Sequence, residues 1–158
     1  MRKIKAFHGS GVLCWKEESN GDLLVLLGKR SMNPGLGKWS IPGGSWEKKD
    51  GYRNKKKRDY KKAAMRETKE EMGIDGNYAD PLWTLHIPFF HYEVFSIEYY
   101  EKILEKDIHE FSDFGWFHIK NLPSKRVFLV DFQVRALVKT GKSHDKLRLG
   151  ARSNHVSK

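Results

Sequence analysis

The apolar positions along the chain alternate or cluster over short stretches, which is the pattern of β-strands. Residues 4–14 and 22–30 are rich in aliphatic side chains and are separated by a polar turn, so they predict two strands. Residues 82–87 and 89–99 are rich in aromatic and β-branched residues and predict either one strand that bends at Pro88 or two strands. The same criteria predict shorter strands at 39–41 and 114–119.

Two further segments have the pattern of helices. Residues 59–72 favour helix, and Gly73 follows at the position where a glycine commonly ends one. Residues 127–138 carry apolar side chains at helical spacing. Strands followed by a helix, more strands and a final helix predict an α+β or layered α/β/α domain.

The positive charge of the chain is local. The 158 residues fit one domain and carry a formal net charge of +10. The segment 48–62 contains seven Lys, two Arg and two Asp, and the segment 139–158 contains four Lys, two Arg and one Asp, which leaves the rest slightly acidic. We therefore expect a basic insert, 48–62, whose first half is a solvated loop, and a basic C-terminal tail whose composition favours disorder.

The sequence argues against several classes of protein. No apolar run approaches the roughly 20 residues that a membrane-spanning helix needs. The basic N-terminus lacks the apolar stretch of a secretory signal, and the single cysteine, Cys14, allows no intrachain disulfide. The histidines lack zinc-site spacing, and Gly35-Leu36-Gly37-Lys38 is not followed by the Ser or Thr of a P-loop. We expect a soluble, cytoplasmic protein with no membrane partner.

Three glutamates in the first predicted helix are the residues most indicative of chemistry. Glu67, Glu70 and Glu71 are spaced i, i+3 and i+4, so their carboxylates share one helix face and repel one another. A solvated acidic surface is one interpretation of such a cluster. A divalent-cation site is the other, because Mg²⁺ and Mn²⁺ bind carboxylate oxygens.

The sequence around these glutamates resembles the signature of the Nudix hydrolases (MutT-like). Residues 66–74, Arg-Glu-Thr-Lys-Glu-Glu-Met-Gly-Ile, match the family's carboxylate helix. Residues 37–44, which end in Gly-Gly, resemble the strand and glycine turn that precede that helix. Residues 110–117 and Leu122-Pro123 resemble the family's late acidic loop, strand and Leu-Pro turn, so the resemblance spans residues 4–138.

The resemblance implies a fold and an activity. The fold would be the Nudix α+β fold, an α/β/α sandwich with a mixed β-sheet, formed by residues 1–140 and followed by the tail 141–158. The activity would be that of a metal-dependent pyrophosphohydrolase, which splits a phosphoanhydride bond in a compound containing a nucleoside diphosphate. Such a reaction needs Mg²⁺ or Mn²⁺ to neutralise phosphate charge and to acidify the attacking water.

The resemblance also implies the residues of the site. By analogy with the family, the metal ligands would be Gly43, through its carbonyl, and Glu67, Glu70 and Glu71. The catalytic candidates are Arg66, Glu67, Glu70 and Glu110. Arg66 would hold a helix carboxylate in place. The general base stays open between Glu67 and Glu110.

One position departs from the signature. The family has a glutamate eight residues before the arginine, and here that position is Arg58. About eight residues more than the usual spacing lie between Glu47 and Ala63. We expect Glu47 or Asp59 to replace the missing carboxylate, or the carboxylate to be absent.

The substrate end of the site is less specific. The candidate substrate-binding residues are Arg30, Trp39, Tyr92, Lys48 and Lys49. Tyr92 lies where a tyrosine marks dinucleoside polyphosphatases, whereas Pro88 lies near where a proline marks members that cleave ADP-ribose. Nucleoside triphosphates, including oxidised ones, and dinucleoside polyphosphates rank ahead of ADP-ribose and nucleotide sugars. The oligomeric state cannot be inferred.

A binding protein is the competing interpretation. The insert 48–62 offers many cations to the phosphates of a nucleic acid, so a Nudix-like domain could sense a nucleotide or bind RNA without hydrolysis. The intact Arg66, Glu67, Glu70 and Glu71 argue against a pure binder, which has no need for a clustered metal site.

Overall fold

A computed structural model describes residues 3–75, 78–103 and 110–141, and within them the chain forms a mixed β-sheet with two α-helices. This confirms the predicted α+β class of fold with a mixed sheet. The elements are β1 (Phe7–Glu17), β2 (Leu23–Arg30), β3 (Trp39–Ser40), β4 (Gly43–Ser45), a 3₁₀ turn (Lys48–Asp50), β5 (Tyr52–Asn54), β6 (Lys57–Arg58), α1 (Tyr60–Met72), β7 (Asp80–Ile87), β8 (Phe90–Glu98), β9 (Phe111–His118) and α2 (Leu129–Thr140).

The longest strand, β1, organises the main sheet. The strand order is β3-β2-β1-β8-β7, with β4 paired to β1 and β9 paired to β2. The pairing of β1 with β8 is parallel and runs from Phe7 opposite Phe90 to Trp15 opposite Glu98, while the other strand pairs are antiparallel. The aromatic segment is therefore two strands, joined by a tight turn at Phe89, whose φ is +65°.

The two helices cover opposite faces of this sheet. Along β1, Val12 and Cys14 belong to the core that packs against α1, and Leu13 and Trp15 belong to the core that packs against α2. All four are buried. Because side chains alternate along a strand, a continuous apolar run on β1 supplies both cores.

The first helix is set by its two ends. The Asp59 side chain accepts a hydrogen bond from the Lys62 N–H at 3.0 Å and caps the start. Gly73 ends the helix in the left-handed region, with φ of +68°. These signals explain why the sequence prediction of 59–72 holds to within one residue. Helix α2 lies two residues later than the predicted 127–138.

The prediction that the first half of the basic insert forms a solvated loop is wrong, because this segment forms a 3₁₀ turn and part of a β-hairpin. The strands β5 and β6 form a hairpin, and the Asp59 N–H donates to the Gly51 carbonyl at 2.9 Å where the hairpin closes. Trp46 supports it: the indole N–H donates to the Gly51 carbonyl at 3.0 Å, and the ring contacts Tyr52 and lies under the Arg58 guanidinium. The hairpin thus packs on the Trp46 ring, partly through this cation–π contact. Its own residues, 51–58, supply few apolar side chains for packing.

Two further expectations concern membrane-spanning helices and the C-terminal tail. No helix in the described residues is long and apolar enough to cross a membrane. The predicted tail, 141–158, lies outside the described residues apart from Gly141, at which they end.

Replacing Trp46 with Ala should loosen the hairpin. We expect the free energy of unfolding to fall by about 2 kcal/mol, less than for a fully buried tryptophan because Trp46 is half-buried. Trypsin should also cut faster at the Lys and Arg residues of 53–58. Urea denaturation and timed proteolysis measure the two effects, with Tyr78→Ala, at an 88% exposed position, as the control. Equal cleavage rates in both variants would show that Trp46 does not hold the hairpin.

Candidate active site

The carboxylate face of α1 lies against the Gly43–Gly44 turn. The Gly43 N–H donates to Glu71 Oε2 at 3.1 Å. A Cβ on Gly44 would lie 2.5 Å from Glu67 Oε1, and a Cβ on Gly43 would collide with the Ser10 carbonyl oxygen. Glycine is needed at position 43 because a side chain there would collide with the backbone of β1, whereas a side chain at position 44 would press on the Glu67 carboxylate that Arg66 holds.

Glu71 is the most perturbed carboxyl group of the site. Its side chain is buried, and Oε1 has no hydrogen-bond partner within the described residues. Burial raises its pKa to about 10, and the neighbouring carboxyl groups of Glu110 and Glu67 add to the shift, against the opposing Gly43 N–H. A cation bound at Glu71 would favour its ionised form.

Glu67 and Glu110 face Glu71 from different elements. Burial raises the pKa of Glu67; the charge and hydrogen bond of Arg66 oppose this shift, while the charges of Glu70 and Glu110 add to it. Glu110 precedes β9, and its carbonyl accepts from the Ser31 N–H at 2.8 Å, which ties it to the end of β2. The fold thus brings together three acidic groups that repel one another when ionised.

Arg66 connects the acidic helix to the start of the insert. Its guanidinium donates to both carboxylate oxygens of Asp50, from Nε at 2.7 Å and from Nη2 at 3.0 Å. It also donates from Nη1 to Glu67 at 3.0 Å and to Glu70 at 3.3 Å, and from Nη2 to the Ser45 carbonyl at 3.1 Å. This network fixes the Glu67 carboxylate at the edge of the site.

Asp50 is the carboxylate that stands in for the missing glutamate of the signature, and the sequence analysis did not identify it. Its side chain is 2% exposed; burial alone would raise its pKa, but the hydrogen bonds from Arg66 and the Glu47 N–H outweigh burial and lower the pKa. The two expected substitutes do other work: Asp59 caps α1, and the half-exposed Glu47 is 3.9 Å from Arg66. When residues 51–58 are left out of the count, Asp50 stands eight positions before Arg66. Counting around the insert would have found it.

A cavity of about 660 Å³ opens beside the carboxylates. Glu67 and Glu110 belong to its lining, as do the cationic side chains of Arg30 and Lys38. One wall is the ring stack of Phe7, Phe90 and Tyr92, whose centroids are 5.1 to 6.5 Å apart. The opposite lining comes from α2 and the segment before it. The cavity lining therefore combines carboxylates and cations with one aromatic wall.

Two buried polar groups of this cavity were not predicted from the sequence. Ser40 Oγ and Gln133 Oε1 have no hydrogen-bond partner within the described residues, although Ser40 is 7% and Gln133 2% exposed. Both residues line the cavity. Buried polar atoms normally find partners, so these two are suited to a ligand. No sequence motif marks them, because Gln133 sits among the apolar residues of a helix face.

Of the remaining residues predicted for the site, some line the cavity and others do not. Arg30 and Tyr92 line the cavity, as substrate-binding candidates should. Trp39 does not, because its ring packs edge-on against Phe117 at 4.8 Å. Lys48 and Lys49 lie on the 3₁₀ turn off the cavity lining, and Lys49 pairs with Glu47 at 3.1 Å. Glu70 is 54% exposed and contacts Arg66 instead of the cavity.

The chemistry of the carboxylates fits a hard divalent cation. Glu71 Oε1 is buried and has no partner among the described residues, and Glu67 and Glu110 add oxygen ligands of the kind that Mg²⁺ and Mn²⁺ bind. No group of three His, Cys, Asp or Glu side chains in the described ranges is already gathered as a complete metal site. Glu67, Glu71 and Gly43 are the predicted ligands that lie together, whereas Glu70 is turned towards Arg66.

Asp50→Asn tests the ion pair. Removing one partner of a buried pair should lower the free energy of unfolding by about 3 kcal/mol at pH 7. Because the pKa of Asp50 is lowered in the folded state, its contribution is present above the unfolded pKa of about 3.9 and is lost as pH falls through the lower folded pKa. Urea denaturation from pH 7 to pH 3 should show the gap closing at the acidic end. Glu47→Gln is the control, and an equal effect of both variants would contradict the assignment.

Comparisons with known proteins agree with this geometry. The NUDIX domain family model matches residues 7–137. A MutT/nudix family protein from Enterococcus faecalis has a similar fold (18% identity, TM-score 0.60), and the match covers 72% of this chain but only 44% of that protein. No match was found among curated proteins.

Two further solved structures resemble the chain along most of their length. One is a C. elegans Ap4A hydrolase in a binary complex, with 18% identity, a TM-score of 0.59 and coverage of 84% of this chain and 96% of that one. The other is the NUDIX domain of Shewanella oneidensis NrtR complexed with ADP ribose, with 17% identity, a TM-score of 0.63 and coverage of 84% and 88%. At these identities the likeness concerns the fold.

The family match carries the assignment, because it spans most of the chain and includes both the glycine turn and the carboxylate helix. The predicted family and enzyme class, a Nudix pyrophosphohydrolase, are confirmed at that level. The chain belongs to the Nudix family.

Proposed function

We propose that this enzyme uses Mg²⁺ or Mn²⁺ to hydrolyse a phosphoanhydride bond in a nucleotide whose base enters the aromatic side of the cavity. Nucleoside triphosphates, oxidised ones included, and dinucleoside polyphosphates rank ahead of ADP-ribose and nucleotide sugars. The observation that carries the proposal is the continuity of the cavity lining from Glu67 and Glu110 to the Phe7–Phe90–Tyr92 ring stack.

The cavity offers each part of a nucleotide a matching surface. Stacked aromatic rings bind planar bases through their faces. Ser40 Oγ and Gln133 Oε1, which have no partner in the described part of the chain, can hydrogen-bond a base edge. Arg30 and Lys38 supply positive charge for phosphates. A volume of about 660 Å³ is within the usual range for small-molecule sites.

The reaction divides between the carboxylates. A bound divalent ion would supply charge neutralisation and a more acidic water, held by Glu71, Glu67 and the Gly43 backbone. Glu67 and Glu110 both line the cavity and are the groups that could accept the proton of the attacking water. Burial raises the pKa of Glu67, which makes it a stronger base than an exposed carboxylate, and Arg66 holds it in place.

The solved relatives support a nucleotide substrate without choosing one. The C. elegans protein is named for Ap4A, and the Shewanella oneidensis domain is complexed with ADP ribose. Tyr92 lines the cavity, which supports the ranking of dinucleoside polyphosphates among the preferred substrates.

Substitution of Glu71 tests the active site. Glu71→Gln should reduce turnover at least about 100-fold, because it removes a buried carboxylate that the metal ion requires. Glu70→Gln is the matched control on the same helix and should cost less than about tenfold, since Glu70 is exposed and lies off the cavity. Hydrolysis by the unmodified protein and by both variants is measured with Mg²⁺ or Mn²⁺ on a panel of candidate substrates. The panel contains nucleoside triphosphates, oxidised purine triphosphates, dinucleoside polyphosphates, ADP-ribose, nucleotide sugars and capped RNA. Full activity of Glu71→Gln would refute the site.

A second function, binding of RNA by the basic insert, is favoured by the charge of the hairpin. Residues 51–58 contain five cations and no acidic residue. Arg53, Lys55, Lys56 and Lys57 are exposed, and Tyr52, 54% exposed, offers a ring for a base. Glu47, which lines the cavity, pairs with Lys49 at 3.1 Å, so the basic surface starts at the rim of the site.

Three substitutions test this second function. Replacing Lys55, Lys56 and Lys57 with Ser should weaken binding of single-stranded RNA and lower the slope of log affinity against log salt by about 2, at roughly 0.7 per phosphate contact. Hydrolysis of small nucleotides should not change. Lys120, Lys125 and Lys139, also exposed, provide a control triple with the same loss of charge. Equal loss of RNA affinity in both triples would contradict a role specific to the hairpin.

A further inference from the structure

Three histidines stand side by side across neighbouring strands on the α1 face of the sheet. In the register of the sheet, His8 of β1 lies opposite His91 of β8, and His91 lies opposite His86 of β7. The flanking residues of β8, Phe90 and Tyr92, point the other way and line the cavity. The histidines are therefore separated from the active-site cavity by the sheet itself.

His86 and His91 approach each other through the same ring nitrogen. Their Nδ1 atoms are 2.9 Å apart, and the rings meet edge to face at 5.1 Å. Tyr60 lies against the His91 ring at 4.7 Å and limits its rotation. The Tyr60 hydroxyl is also 2.9 Å from His8 Nδ1, so that nitrogen of His8 is engaged elsewhere.

The surroundings of His91 select its tautomer. His91 Nε2 is buried without a hydrogen-bond partner in the described residues, and the nearest carboxylate oxygen, Glu93 Oε1, is 3.7 Å away. A lone pair on Nε2 would face that carboxylate, so the hydrogen belongs on Nε2 and the lone pair on Nδ1. His91 thus presents a basic nitrogen towards His86, with a carboxylate behind its other nitrogen. Metal-ligating histidines commonly have this arrangement.

We propose that His86 and His91 form a bidentate site for a late transition-metal ion such as Zn²⁺ or Cu²⁺, bound through both Nδ1 atoms and completed by water. Two zinc–nitrogen bonds of about 2.0–2.1 Å at a tetrahedral angle place the nitrogens roughly 3.3 Å apart. The exposed His86 ring needs only a small rotation to widen the observed 2.9 Å to this value. Imidazole nitrogen suits these ions, whereas the carboxylate active site suits Mg²⁺.

The site would fasten the end of the β7–β8 hairpin. His86 and His91 flank the turn that contains Pro88 and Phe89, and Phe89 has a positive φ of 65°. Phe90, next to His91, forms part of the aromatic cavity wall. A metal ion between the two histidines would hold this turn closed from the face opposite the cavity. The Arg58 charge, which acts on the neighbouring His8, weakens cation binding, and Glu93 offsets it.

The experiment is a titration of untagged, full-length protein with Zn²⁺ by calorimetry, and with Cu²⁺ by electron paramagnetic resonance. Nitrogen hyperfine splitting in the copper spectrum distinguishes imidazole ligands from the active-site carboxylates. His86→Ala and His91→Ala should each weaken this nitrogen-ligated site at least tenfold, and Glu93→Gln should weaken it severalfold. His118→Ala, which removes a histidine paired with Asp22, should leave it unchanged.

Two results would overturn the proposal. One is wild-type copper spectra and zinc affinity in His86→Ala, whose exposed position makes it a safe variant if His91→Ala fails to fold. The other is loss of the nitrogen signal in His144→Ala/His155→Ala, which would assign the metal to the tail. Hydrolysis with Mg²⁺, measured in every variant, reports whether the fold and the active site are intact, and it is independent of the histidine site.

Discussion

The fold around the active site depends on the close packing of an acidic helix face against a backbone turn. Because Gly43 has no side chain, it can lie against β1 while its N–H reaches Glu71, and Glu67 occupies the space that a Cβ on Gly44 would need. The same packing removes water from the carboxylates and raises their pKa values. Burial and mutual repulsion of the carboxylates destabilise the folded protein. The same two effects favour cation binding, because an ion of opposite charge relieves both the desolvation and the repulsion.

Arg66 limits that cost. It belongs to the same helix as the glutamates, yet its strongest contacts are with Asp50, which lies just before the β5–β6 hairpin of the insert. The pair fixes the arginine, and the arginine in turn holds Glu67 by a hydrogen bond of 3.0 Å. An insertion between Asp50 and α1 is tolerated because the hairpin leaves both ends of this link in place.

The sequence predicted what depends on local chemistry. Helix α1 was bounded correctly because Asp59 and Gly73 carry their capping chemistry in their own side chains and backbones. The insert was misjudged because its hairpin is held by Trp46, a residue outside the segment whose composition suggested a loop. Asp50 was missed because an insertion displaced it along the chain but not in space. Ser40, Gln133 and the pair of histidines become visible only when strand register and helix packing are known.

The closure of the hairpin has a consequence for how this protein can be altered. The Asp59 amide and the Gly51 carbonyl are hydrogen-bonded at 2.9 Å, so the segment between them leaves and re-enters the domain at nearly the same point. A hairpin whose two ends are joined in this way can be shortened, exchanged or lengthened while the hydrogen bond between its ends is kept. The position is therefore a natural attachment point for a grafted peptide, held beside a catalytic centre by a scaffold that does not need the original loop.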